Sequence, residues 1–281
     1  MGFNFPHPPD HLTFPQTAQH VANAAMAVLV LAFVVYGVLE WRRGRGPLCL
    51  LLVAGGSVSY LNEPILDVLG PLWHPRPGQD VAFTTFGPVP LWGLGIYTVF
   101  FGGGTYVMYR LLEHGVTRRQ LWLGIGAFWV VNLAVELPLL QAGLYTYYGY
   151  RTPPMSVGGL PLFWLVVNCG SPLAGACLLR GMPQLVAGWR VVRAVLLPMT
   201  AYGAFALASG WPVFSAAHAP HLPGVVDWAA ALLTIGIGAS IIHELAGWAE
   251  RTGPVRTAEP ARAEAAEAAE VAAAARILDR V

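Results

Sequence analysis

The chain has 281 residues, 56% of them hydrophobic and only 11% charged, against about a quarter charged in a soluble domain. Its net charge of +1 leaves no basic face for nucleic acid. All 16 basic residues are arginine, which excludes Schiff-base chemistry on lysine and a phosphate loop built on lysine.

In chain order the sequence predicts an all-α, polytopic membrane bundle of seven helices. Residues 1–20, rich in His, Pro and Phe, read as an external arm. A bilayer core needs about 20 apolar residues in a helix. Such stretches lie at 21–41, 47–69, 89–111, 120–140, 159–179, 191–211 and 225–247, within a membrane domain spanning 21–250. The remainder, 251–281, is an Ala/Glu/Arg-rich tail expected to be a solvated helix or disordered. Counted over alternating loops and ends, 14 Arg fall on one side and two, Arg76 and Arg151, on the other. That bias places the N-terminus outside and the C-terminus inside, as in a multi-pass protein of the cell membrane. The first span is full length with no basic segment before it, which argues against a cleaved signal peptide. Cys49, Cys169 and Cys177 sit in apolar stretches without redox or metal spacing and read as small buried hydrophobes.

A weak internal repeat accompanies the spans. Pro64, Pro138 and Pro212 close spans 2, 4 and 6 at intervals of 74 residues. Three tandem helix pairs after one extra helix would give this spacing, as parallel repeats.

Ionisable groups inside a membrane are expensive and therefore functional candidates. Glu63 and Asp67 stand four apart on one helix face, with Asn62 beside them, and Asn132 and Glu136 share the same spacing on span 4. Glu63 and Glu136 lie at similar depth in the outer half, and Asp227 opens span 7 there. The loops 70–88 and 141–158 add polar and aromatic groups at the same level, among them Trp73, His74, Tyr145 and Tyr148. Trp92 sits at the outer interface of span 3, and Asn168 is mid-span on span 5, where an amide more often joins helices than binds substrate. A carboxyl group taken out of water holds its proton more tightly, which is what a general acid needs, and an ionised neighbour can act as base or steady a cation. Glu63, Glu136 and Asp67 are thus the expected catalytic groups, with Asp67 tuning Glu63. Asn62, Trp73, His74, Trp92, Asn132, Tyr145, Tyr148, Asn168 and Asp227 are the expected substrate contacts. The chemistry this pocket suits is acid-catalysed dehydration, cyclisation or ketal formation on an apolar small molecule. No metal site is expected, because Pro220 breaks the helical geometry of His218 and His221 and no third ligand is apparent.

Three stretches carry a resemblance. They are Glu63-Pro64-Ile65-Leu66-Asp67 with Trp73-His74-Pro75, then Phe83-Thr84-Thr85-Phe86-Gly87 with Val89-Pro90-Leu91-Trp92, and then Glu136-Leu137-Pro138 with Gly143-Leu144-Tyr145-Thr146-Tyr147-Tyr148-Gly149. In this order they resemble the AveC-type spirocyclase family, integral membrane proteins of polyketide biosynthesis, over about 50–250. The resemblance implies spiroketal formation, in some members coupled to dehydration, with no metal or redox cofactor required. It assigns no catalytic residue. The residues alone also admit a membrane cyclase acting on an isoprenoid, a small proton-coupled transporter, or a scaffold whose acids only hold helices together.

Overall fold

The computed structural model describes residues 7–150, 155–219 and 221–254. Helix α1 (Gln16–Glu40) runs through one wide turn to Arg45. There Gly44 takes a left-handed conformation (φ 83°), and Pro47 opens α2 (Leu48–Leu69). Helix α3 covers 91–113 and contains a π turn at Thr98–Gly103. Thr117 and Gln120 cap each other at the start of α4 (Arg118–Gln141), a reciprocal capping box. Helix α5 (Phe163–Gly181) follows. A 3-10 stretch, Gly188–Leu196, then leads into α6 (Leu197–Ala217), and α7 (Val225–Thr252) completes the bundle.

Six of these helices are long and apolar enough to cross a membrane. The exception is α3, which matches the third expected span in place and length. Five glycines, three tyrosines, Arg110 and Glu113 dilute its hydropathy.

Helix α5 is the hub, packed on α3, α4, α6 and α7, and 83% of its apolar window is buried. The corresponding figures for α1 and α4 are 17% and 11%, so these two lie at the rim with most of their apolar surface outward. Helices α2 and α3 meet backbone to backbone. A Cβ at Gly56 would stand 2.6 Å from the Tyr97 carbonyl oxygen and 2.7 Å from the Gly102 nitrogen. Glycine permits this approach because it has no side chain. The three cysteines are buried and free.

The two ends of the bundle differ. One end gathers arginines. Arg45 pairs with the buried Glu40 at 2.7 Å, and the Tyr106 hydroxyl donates to the same carboxylate at 2.9 Å. Arg180 donates to the carbonyls of Leu112 and Gly253, and Arg118 donates to His243 at 2.8 Å. The opposite end carries three two-stranded ribbons that the sequence did not announce. Strand β1 (Leu72–Trp73) pairs with β4 (Thr146–Tyr147), β2 (Val81–Thr84) with β3 (Pro88–Pro90), and β5 (Ser156–Val157) with β6 (Leu160–Pro161), all antiparallel. Leu72 faces Tyr147 and Trp73 faces Thr146. A shift of 74 positions carries β1 onto β4, Leu72 onto Thr146 and Trp73 onto Tyr147. Equivalent segments of the proposed repeat therefore pair with each other about a local two-fold. Ribbons lead into α3 and α5, whereas among the described residues none precedes α7.

The N-terminal arm is shorter than expected, because α1 begins at Gln16, inside the stretch assigned to it. Phe14 is buried against Trp92, Leu144 and Tyr145. The Gln16 and Gln19 amides donate to the Gly78 carbonyl at 2.5 and 3.1 Å, and Asn23 donates to Asp80 at 2.8 Å. These contacts tie the start of α1 to the ribbon end. Residues 1–6, Arg151 and the tail beyond 254 lie outside the described residues.

Candidate functional site

A cavity of about 70 Å³ lies beneath the ribbons, between α2, α3, α4, α5 and α6. By the measure in which one water occupies about 10–15 Å³, it holds roughly five to seven waters. Leu66, Ile96, Phe100, Phe101, Val135 and Leu139 supply its apolar wall. Glu63, Asp67, His74, Trp92, Asn132, Glu136, Tyr145 and Asn168 all line it, so eight of the twelve expected residues meet in one place.

Glu136 is held by three donors. Its Oε1 accepts from the Asn132 amide at 2.9 Å and the Asn168 amide at 3.1 Å, and its Oε2 accepts from the Tyr145 hydroxyl at 2.5 Å. Asn168 also donates to the Asn132 carbonyl at 3.2 Å, which locks the two amides together. An ionised carboxylate is acceptor-only, so this set satisfies it. Burial first, and next the Glu136 charge, push the Tyr145 phenol well above its ordinary range. Tyr145 is therefore a donor here.

Glu63, Asp67 and His74 form a second polar group. The i, i+4 spacing puts both carboxyls on one face of α2, and the chain returns through β1 to set His74 against them. His74 Nε2 lies 3.5 Å from Glu63 Oε1 and 3.6 Å from Asp67 Oδ2. The ring is 5% exposed, and neither nitrogen has a hydrogen-bond partner among the described residues. Glu63 Oε2 accepts from the Tyr97 hydroxyl.

A polar chain joins the two groups. The Tyr97 and Tyr202 hydroxyls are 3.4 Å apart, and Tyr202 donates to the Asn168 carbonyl at 3.4 Å. Tyr97 and Tyr202 are functional candidates that the sequence reading missed; Trp164 and Tyr147, expected at the outer level, also stand on the cavity wall. A tyrosine in the interior of a span must find a partner for its hydroxyl, and that signal was available at Tyr97 and Tyr202. The indole N–H groups of Trp92 and Trp164, each 4% exposed, have no acceptor among the described residues. Trp92 is held by stacking on Tyr145 (28°, 6.0 Å).

Four of the expected contacts lie off the cavity wall. Asn62 faces α6, where its amide donates to the Met199 carbonyl at 3.0 Å. It is a helix-packing group. Trp73 points away from the cavity into an outer pocket, with the Arg76 guanidinium 4.5 Å over its ring. Successive strand residues face opposite ways, so Leu72 turns in and Trp73 out. Tyr148 lines the same outer pocket and a neighbouring one. Burial, and then the Asp67 carboxylate, push its phenol up, while Arg76 opposes. Asp227 is buried in the first turn of α7 without lining the cavity. After burial, its charge is the next cause raising the Tyr150 phenol.

Both outer pockets adjoin the cavity. One shares Asp67, Leu72 and His74 with it, and the other shares Tyr145 and Tyr147. The fold and the site together define a polytopic α-helical membrane protein with an acid-lined cavity under a ribbon cover. No family model, curated protein or solved structure matches the chain.

Proposed function

We propose that this protein is a membrane-embedded cyclase or dehydratase that works by acid–base chemistry on an apolar, oxygen-bearing substrate, with spiroketal formation on a polyketide as the specific reaction. The observation that carries the reading is Glu136. It is a carboxylate fixed by three donors, facing a second carboxyl group across a cavity with an apolar wall. In the reaction, a dihydroxyketone closes to a hemiketal. The hemiketal hydroxyl leaves as water, and the second hydroxyl traps the oxocarbenium ion, so one water is lost overall. Glu136 takes the proton of the attacking hydroxyl, with Tyr145 holding the carboxylate in line. The Glu63–Asp67–His74 group activates the leaving oxygen from the opposite side. A dry, shaped cavity protects the cation from bulk water.

Two features favour this over an isoprenoid cyclase or a carrier. The unpaired indole N–H groups of Trp92 and Trp164 call for oxygen acceptors, which a hydrocarbon does not offer. The acids lie at the ribbon end, whereas a carrier uses polar groups on both sides of the midplane. The small cavity admits only the reacting segment, and the adjoining outer pockets would take the rest of the chain. By the arginine bias, we place the ribbon end outside, with α3 as the seventh span.

The test is metabolite profiling by mass of a producing host with and without the gene. The host lacking it should accumulate a hydroxyketone or hemiketal heavier than the product by one water. Identical profiles at confirmed protein expression would refute the reading.

A further inference from the structure

We propose that Glu63, Asp67 and His74 bind one divalent cation of the zinc class in the wall of the cavity. The three ligand atoms all lie within 4.8 Å of one another. The separations of 3.5 and 3.6 Å from His74 Nε2 to the two carboxylate oxygens are at or beyond the limit for hydrogen bonds. They are close to the edge of about 3.4 Å that a tetrahedral site has when its bonds are about 2.1 Å long.

The surroundings point the same way. His74 is almost fully buried, and neither ring nitrogen is hydrogen-bonded by any described residue. Buried polar groups are rarely left so, and an imidazole aimed at two carboxylates is satisfied by a shared cation. Glu63 divides its two oxygens, with Oε1 toward His74 and Oε2 accepting from Tyr97. This is the pattern of a ligand held in place by an outer partner. Two carboxylates inside an apolar bundle also need compensating positive charge, and no arginine pairs with either among the described residues. One imidazole with two carboxylates suits Zn²⁺, Mn²⁺ or Fe²⁺, and the two edges from His74 fit the short bonds of zinc. All three residues line the cavity, which leaves the ion's remaining position to water or to a substrate oxygen.

The site stands on geometry alone and does not rest on the proposed activity. If both hold, the ion is what activates the leaving oxygen, and Glu136 remains the base.

The experiment measures metal in the purified full chain in detergent, by mass spectrometry of the elements after gel filtration. Protein stripped with a chelator is then titrated with Zn²⁺ and with Co²⁺ as a spectroscopic probe. Wild type should hold close to one ion per chain and regain it on titration. Asp67→Asn and His74→Ala should each weaken binding at least about tenfold, and Tyr97→Phe, which removes only the outer partner, about 10- to 100-fold. His218→Ala should leave binding unchanged. Gel-filtration profile and helix content establish that each variant folds. Failure of folded wild type to bind either ion on titration would overturn the site. Binding that Asp67→Asn and His74→Ala leave intact would overturn it equally. A metal-loaded chain that forms no product counts against the cyclase reading alone, and a chain that forms product but binds neither ion on titration counts against this site alone.

Discussion

Replacing Glu136 by glutamine separates its chemistry from its packing. The side chain keeps its volume. Its remaining carbonyl oxygen still accepts from Asn132 and Asn168, at 2.9 and 3.1 Å in the parent. The new amide nitrogen meets the Tyr145 hydroxyl, which must turn from donor to acceptor. Charge-assisted bonds are about twice as strong as neutral ones, so each of the three bonds weakens by about 1 kcal/mol. A neutral amide is cheaper to bury than a carboxylate, which offsets much of that loss. Folding should therefore survive with a net change of about 1–2 kcal/mol. Catalysis should not survive. Removing a general base costs about 10²- to 10⁴-fold, and the lower bound corresponds to about 2.7 kcal/mol of barrier. Glu136→Asp keeps the charge but shortens the reach by one methylene, so it should fold and fall between wild type and the glutamine variant. The assay is product yield by mass spectrometry from the producing host, normalised to folded protein counted by gel filtration. A glutamine variant that keeps more than about half the yield, far inside the range for a base, would show that Glu136 only holds helices together.

Two further outcomes are expected. Gly56→Val drives a side chain into the backbone of α3, where the Tyr97 and Thr98 carbonyl oxygens and the Gly102 nitrogen lie 2.6–2.7 Å from the new Cβ. Thermal unfolding in detergent should show a loss of about 1–3 kcal/mol, whereas Gly126→Ala, with nothing within 4 Å, should be neutral or stabilising; equal behaviour of the two would contradict the packing. Reporter fusions after Arg45, Arg119 and Arg193 should report cytoplasm, and fusions near Gly78, Thr152 and Pro220 the outside; inversion at two or more positions would reverse the bundle and move the acid cavity to the cytoplasmic half.

The helices were legible because hydropathy and length act locally. Each of the seven expected stretches coincides with a helix to within a few residues. The acids were legible because a carboxyl in an apolar run needs a reason to be there, and i, i+4 spacing fixes a shared face whatever the tertiary fold. Which way a face turns is set by packing, and that information is not local. Asn62 adjoins Glu63 in sequence but points to Met199 of α6, while Glu63 points to Tyr97 and His74. The ribbons escaped the sequence reading because strands of two to four residues carry no usable periodicity. With them escaped the alternation that sends Leu72 inward and Trp73 outward. Glu63 and Glu136 lie at similar depth, but the 74-residue proline spacing carries Glu136 onto Asn62 rather than onto Glu63. The two glutamates accordingly stand in different surroundings, one fixed by amides and the other set against a histidine.

The enclosure of α5 has a consequence for how the chain is made. A helix with most of its apolar window buried by other helices, carrying Asn168, Ser171 and Pro172 in its interior, is a poor passenger in bare lipid, where each unmatched polar group is costly. When α5 emerges from the ribosome, α6 and α7 do not yet exist. Its release into the bilayer must await them, with α5 held meanwhile at the insertion machinery or against α3 and α4. Helices α1 and α4, whose outward surfaces are almost wholly apolar, need no such delay. The cavity can therefore close only once α6, which supplies Tyr202 to its wall, has been inserted.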